Sequence, residues 1–183
     1  MSELDENFFR RDAVAVAQYL IGASLLFQGN GGTIVETEAY TLDDPASHSF
    51  TGVSERNKSM FGPAWRAYIY RSYGVHWCFN VVCSVGSAVL IRALEPKVGI
   101  DVMQIRRNLS SIRNLCSGPG RICEALAITR EQDGLPLTQA PFSINHNRIK
   151  SEVWVGQRIG ITKAVHAPWR FGLKDSAFLS RKF

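Results

Sequence analysis

The sequence predicts a single α+β domain, in which short strands joined by hairpins carry a few packed helices. Three observations predict it. Residues 33–40, T-I-V-E-T-E-A-Y, alternate with a period of two, the repeat of a strand. Two β-rich runs, W-R-A-Y-I-Y-R and V-H-W-C-F-N-V-V-C, flank Ser72-Tyr73-Gly74, a hairpin signature. Helix starts stand at Asp12 and at Ser117-Gly118-Pro119-Gly120. A chain of 183 residues suffices for one hydrophobic core, and no domain boundary, repeat or low-complexity stretch interrupts residues 1–183.

Taken in order, Asp12 caps a helix through A-V-A-V-A-Q-Y-L-I that Gly22 stops. The apolar segment 24–27 leads into Gly29-Asn30-Gly31-Gly32, a turn that feeds the strand at 33–40. These glycines are no phosphate loop, because no strand-to-helix context and no G-K-[ST] follow. Residues 49–62 read as an ordered loop, since they carry bulky apolar groups. After the Tyr73 hairpin comes a strand over 88–96, then an amphipathic helix over 98–107 and the helix after Gly118. Four β-like runs, P-F-S-I, E-V-W-V, R-I-G-I and W-R-F-G-L, complete the sheet, and residues 180–183 read as frayed.

Residues 33–48 hold the densest chemistry. Alternation puts Glu36, Glu38 and Tyr40 on one side of the strand; Asp43, Asp44 and Pro45 break it, and His48 follows. Taken alone, the stretch is an edge strand with a wet acidic face. Arg92 sits in an otherwise apolar run, either facing an edge or paired, because an unpaired charge there is expensive. Tyr73 at a hairpin tip either folds back on the surface or serves as a wedge or stacking group, with Arg71 beside it for a phosphate.

The totals exclude several classes. A net charge of +5 and a pI near 9.2 are compatible with a polyanionic partner without requiring one. The basic residues are scattered in pairs such as Arg56/Lys58, Arg106-Arg107 and Arg148/Lys150. No apolar run reaches membrane-spanning length, and the acidic N-terminal stretch lacks the apolar core of a secretory leader, which predicts a cytoplasmic, nucleoid-associated location. Cys78, Cys83, Cys116 and Cys123 lack C-x-x-C spacing and read as buried free thiols.

The motifs V-E-T-E-A-Y, D-P-A-S-H, R-N-x-x-M-F, A-Y-I-Y-R-S-Y-G, F-N-V-V, L-I-R-A-L-E-P, L-C-S-G-P and R-I-G-I stand in one order and spacing. With them the chain resembles the alkyladenine (3-methyladenine) DNA glycosylases of the methylpurine type, over residues 9–179. The resemblance implies a curved, mainly antiparallel sheet, flanking helices and a protruding hairpin that inserts into DNA. It implies double-stranded DNA as partner, approached through the minor groove, and neither metal nor cofactor. Glu38 would be the general base and Arg92 a neighbour of the catalytic water, which the backbone of Ile161 helps hold. Tyr40, His48 and Tyr70 would line the pocket, Asn80 would screen against the amino group of guanine, and Tyr73 would fill the vacated stack. Arg71 and Arg56 suit phosphate contact. A monomer is the simplest form for an enzyme that scans DNA.

The chemistry fits those residue types. Extruding a nucleotide costs a few kcal/mol, and stacking returns roughly 1–3 kcal/mol per base. Electron-rich rings favour a cationic alkylated purine. A carboxylate beside the anomeric carbon stabilises an oxocarbenium-like state and takes a proton from water. Alternation cannot choose between Glu36 and Glu38; the resemblance selects Glu38 and leaves Glu36 a supporting role. Without a lysine nucleophile in the motifs, a monofunctional hydrolase is expected. Two departures stand out: Trp65-Arg66 replaces a glycine and a small residue, which would reshape the approach to the site, and Gly172 replaces an aromatic. Two other readings use the same residues: a non-catalytic damage-binding module with the same wedge, and a metal-dependent hydrolase built on Asp43, Asp44 and His48.

Overall fold

The structure, a computed structural model, describes residues 2–3, 6–146 and 152–183. The Arg148/Lys150 pair lies outside the described residues. The strands are β1 (Ser2–Glu3), β2 (Ser24–Phe27), β3 (Asn30–Tyr40), β4 (Ala67–Ser72), β5 (His76–Val82), β6 (Ala88–Val98), β7 (Phe142–His146), β8 (Val153–Gly156) and β9 (Arg170–Leu173). They form one antiparallel sheet in the order β1-β7-β2-β3-β6-β5-β4, curled into a half-barrel, with β9 joining β3 to β8. Its helices are α1 (Glu6–Phe9), α2 (Ala13–Tyr19), α3 (Ile100–Arg107) and α4 (Pro119–Leu126). This is the α+β class that the sequence predicts.

Local chemistry accounts for most of the elements. Asp12 accepts from the backbone N–H groups of Val14 and Ala15 and so caps α2, and Gly22 ends that segment at φ 88°. Pro119 opens α4, where its missing N–H costs nothing. The first hairpin turns one step earlier than its glycines predict. Gln28 and Gly29 form the turn, both at positive φ, while Gly31 and Gly32 belong to β3. A Cβ on Gly31 would stand 2.0 Å from the Leu25 carbonyl oxygen, and one on Gly32 1.9 Å from that of Glu95. Glycine is therefore required where three strands press together.

β3 is no edge strand. β6 flanks it on one side and β2 followed by β9 on the other, and Glu36 and Glu38 are both 0% exposed. The wet acidic face is thus overturned, because the sheet curls around these carboxylates and supplies arginines to them. Three smaller corrections follow from the same packing. The 88–96 strand runs on to Val98, so α3 begins at Ile100. R-I-G-I is an irregular loop, since β8 ends at Gly156 and β9 pairs directly with β3. Residues 180–183 are held against β9 and β3, not frayed.

Alternation sorts the two faces. Ile69, Phe79 and Val81 enter the main core with Phe9, Leu20, Leu25, Leu94, Ile122 and Phe142, under α2 and α4. Full burial of each such side chain stabilises by roughly 1.5–3 kcal/mol. Tyr68, Tyr70 and Val82 face the other way, in a small cluster with Met60, Phe61 and Ala88. That second face carries the site. Trp65 packs against the main core at φ 61°, under the Arg66 guanidinium, and does not line the approach to the site. The four cysteines are buried and free.

Candidate active site

A cavity of about 1150 Å³ opens on the second face, between β4, β5, the 45–48 loop and the 159–163 loop. Tyr40, His48, Tyr70, Asn80, Arg92 and Ile161 all line it, and so do Arg56, Arg71 and Tyr73 near the mouth. Of the residues to which the resemblance gives a role at the site, all but Glu38 line this cavity, and Glu38 lies just behind the lining. Glu38 reaches the cavity through its partners. Its Oε1 accepts from the Ile159 backbone N–H at 2.7 Å, and its Oε2 accepts from the Tyr40 hydroxyl at 2.9 Å and from Arg92 Nη1 at 3.3 Å. Tyr40, Arg92 and Ile159 each face the cavity.

Bulges in β3 and β6 explain this geometry. The register shifts between Ile34 and Glu36 and again between Glu36 and Thr37, which places Val35 and Arg92 as the extra residues of the two strands. Arg92 is thereby aimed between the carboxylates, its Nε 3.3 Å from Glu36 Oε1. It is paired, not edge-facing, at 8% exposure. Both contacts are longer than the 2.7–2.9 Å usual for charge-assisted bonds, so Arg92 is shared and held tightly by neither. Burial pushes the Glu38 carboxyl above the ordinary glutamate value, and Arg92, the Ile159 N–H and Tyr40 only partly offset it.

The aromatic lining is electrically neutral. The His48 ring meets that of Tyr70 edge-on, with centroids 4.5 Å apart, and its Nδ1 lies 2.9 Å from the Tyr68 hydroxyl. Burial, and then Arg56, lower the His48 pKa, so the imidazole is uncharged at neutral pH. Burial raises the phenols of Tyr40 and Tyr70. Asn80 is clamped by donating to the carbonyls of Tyr68 and Cys78 at 2.9 and 3.3 Å. At the mouth, Tyr73 is 90% exposed and does not fold back. It shares a turn with Gly74, both at positive φ, and Arg56 Nη2 donates to the Arg71 carbonyl below it at 3.1 Å.

Sequence reasoning missed a second ring of groups. Asp44 is no metal ligand; its carboxylate forms a bidentate pair with Arg158, whose Nη1 also donates to the Ala39 carbonyl at 2.9 Å. Asp43 is exposed and accepts from Thr41. Among the described residues no three His, Cys, Asp or Glu gather as a metal site. Arg170 and Ser180 both bind Glu36. Tyr68 and Cys78 join the lining, and an exposed lysine, Lys163, stands at its rim. Of these, Tyr68 and Cys78 carried a sequence signal, each being two residues from a candidate site residue, Tyr70 and Asn80, on one strand face.

The comparisons give this arrangement its class. The sequence profile of the methylpurine-DNA glycosylases matches residues 7–177. The protein is a DNA glycosylase, a hydrolase of N-glycosyl bonds that serves base excision repair. The chain belongs to the methylpurine-DNA glycosylase family. It is 60% identical over 179 residues to a Rhizobium meliloti protein, covering 98% of this chain and 97% of that one. An Agrobacterium fabrum protein is 55% identical over 181 residues, 99% of this chain and 94% of its own. A Nitrosospira multiformis protein is 58% identical over 178 residues, 96% and 92% of the two chains. All three relatives carry the provisionally assigned name 3-methyladenine DNA glycosylase. Among the described residues no helix is long and apolar enough to cross a membrane.

Proposed function

We propose that the protein excises alkylated purines, 3-methyladenine among them, by flipping the nucleotide out of the duplex and hydrolysing its glycosidic bond with a water activated by Glu38. The observation that carries this reading is the wiring of one wholly buried carboxylate to three groups, Tyr40, Arg92 and Ile159, that face an aromatic cavity. A raised carboxyl suits a base working near neutral pH. As the bond to the base breaks, Glu38 faces the positive charge on the sugar and takes the proton of the attacking water.

The remaining roles follow from chemistry. Neutral rings of Tyr40, His48 and Tyr70 stack on a cationic base without opposing its charge. Asn80, held by two backbone carbonyls, cannot move aside for the extra amino group of guanine. Tyr73 enters from the minor groove and fills the place of the extruded base, while Arg56 and Arg71 meet phosphates. One copy of the chain carries every part of this site, which supports action as a monomer. Glu38 supplies the nucleophilic water and Lys163 stays outside the chemistry, so the product is an abasic site without strand cleavage.

Single-turnover release of methylated purines from alkylated duplex DNA in EDTA tests this. The wild type releases them and Glu38→Gln does not. Equal release by both moves the base to another carboxylate, and a borohydride-trapped enzyme–DNA adduct removes the monofunctional assignment.

A further inference from the structure

Residues 180–183 lie against β9 and are not among the residues that line the cavity. The Ser180 backbone N–H donates to Glu36 Oε2 at 2.5 Å, and its hydroxyl donates to Oε1 at 2.9 Å. Arg92 Nη2 lies 3.4 Å from the same hydroxyl oxygen. Arg170 Nε donates to Glu36 Oε1 at 2.8 Å, while its two Nη atoms donate to the carbonyls of Arg181 and Lys182 at 2.6 and 3.4 Å. The Arg170 guanidinium stands 3.9 Å from the centre of the Phe183 ring. That ring fills the space left by two glycines. A Cβ on Gly172 would stand 2.3 Å from it and one on Gly156 3.0 Å. Arg113 holds the preceding turn by donating to the Leu179 carbonyl at 2.8 Å.

We propose that residues 180–183 are a positioning clamp for the catalytic carboxylate: they saturate Glu36, so that Arg92 stays shared with Glu38 and holds it in its reactive setting. The proposal rests on Glu38 being the general base. Its reason is a competition. Two buried carboxylates two residues apart share one arginine at 3.3 Å from each. A buried carboxylate lacking donors is costly, and an unsatisfied Glu36 would draw Arg92 wholly to itself. Four donors already serve Glu36: Ser180 N–H, Ser180 Oγ–H, Arg170 Nε and Arg92 Nε. Two of them come from Ser180, and Arg170 is steered by the carbonyls that follow it.

The groups around Glu38 fix the expected sign. Arg92 faces it from β6, Glu36 and Tyr40 from β3, and the Ile159 N–H from the 159–163 loop, while Arg170 is its register partner on β9 and Arg158 lies over the Tyr40 ring. Glu36, Arg92 and Arg170 touch the clamp. Releasing it leaves the Glu36 charge less compensated and draws Arg92 away, and both changes disfavour the Glu38 carboxylate. The acid limb of the rate profile then moves to higher pH.

The test compares wild type, a chain lacking residues 180–183, Ser180→Ala, Ser180→Thr and Glu38→Gln in single-turnover base release from alkylated duplex DNA across pH. Melting and affinity for duplex containing a non-cleavable abasic analogue are measured alongside. Truncation is expected to slow release at neutral pH ten- to a hundredfold, the scale of misplacing a reacting group. It raises the acid limb and leaves DNA affinity unchanged. Ser180→Ala shows the same shift in smaller measure, and Ser180→Thr restores the wild-type profile. If truncation prevents folding, the Ser180→Ala and Ser180→Thr pair decides. Wild-type rates and acid limbs in Ser180→Ala, with Glu38→Gln inactive, overturn the clamp and leave Glu38 as the base. Full activity of Glu38→Gln instead overturns the assignment of the base on which the clamp rests.

Discussion

Asp44 and Arg158 form a bidentate ion pair in which neither side chain is exposed to solvent. The pair ties the loop after β3 to the loop before β9, and the neighbouring Ile159 delivers its N–H to Glu38. Arg158 is also stacked between Tyr40 and Trp169, with its guanidinium 4.7 and 5.1 Å from their ring centres. Removing one partner strands a buried charge, which costs about 3–5 kcal/mol. Asp44→Ala should therefore lower the denaturation free energy by that amount and slow base release. Asp44→Leu combined with Arg158→Met should recover most of the stability but not the rate, because the Ile159 loop is no longer pinned. Chemical denaturation and single-turnover assays separate the two effects.

The raised carboxyl of Glu38 predicts opposite pH responses for activity and stability. A base acts only when ionised, so the acid limb of base release should lie above the ordinary glutamate value of 4.5. For stability the sign reverses. A group with a raised folded pKa stabilises fully below its unfolded value, and that contribution is lost as the pH rises through the folded value. Glu38→Gln lacks this titration. Its stability relative to wild type should improve as the pH climbs above 4.5. Denaturation midpoints of both proteins along a pH series would expose a constant difference if Glu38 were not perturbed.

Much of this was legible in the sequence where the cause is local. The hairpins at 27–30 and 72–76 follow from turn residues between period-two runs, and the α2 cap follows from one aspartate. The distinction between Glu36 and Glu38 was not legible, because it is made by bulges whose register depends on β6 and by donors from β9 and beyond. Asp44 finds Arg158 across 114 residues of chain, a distance over which no pattern of spacing speaks. Trp65 misled for a related reason. Tyr68, three residues on, lines the site, but Trp65 sits at a positive φ and packs its own side chain against the main core.

The Phe183 ring lies over Gly172, in the space that a side chain there would enter. Gly172→Ala places a methyl 2.3 Å from that ring, which must leave its seat. Overpacking of this kind costs about 1–3 kcal/mol. Phe183→Ala alone loses packing, yet adding Gly172→Ala to it should cost less than Gly172→Ala does alone, since the ring clash is gone and only the 3.1 Å approach of the flexible Leu179 side chain is left. A double-mutant cycle on denaturation free energies checks this. Simple additivity would show that the ring is not held over Gly172.

Tyr73 offers the sharpest separation of fold from function. It is 90% exposed, so it contributes almost nothing to the core, and it sits at φ 49°, where a side chain costs roughly 1–2 kcal/mol relative to glycine. Strain retained at an exposed position marks a side chain kept for another purpose. Tyr73→Gly should therefore raise the melting temperature. It should also slow excision from duplex DNA by the loss of one stacking interaction, roughly 1–3 kcal/mol, or about five- to more than a hundredfold. On single-stranded DNA no base pair must be replaced, and the variant should match wild type there. An equal loss on both substrates would place Tyr73 in the pocket chemistry, and no loss on either would leave the strain at the hairpin tip without a use.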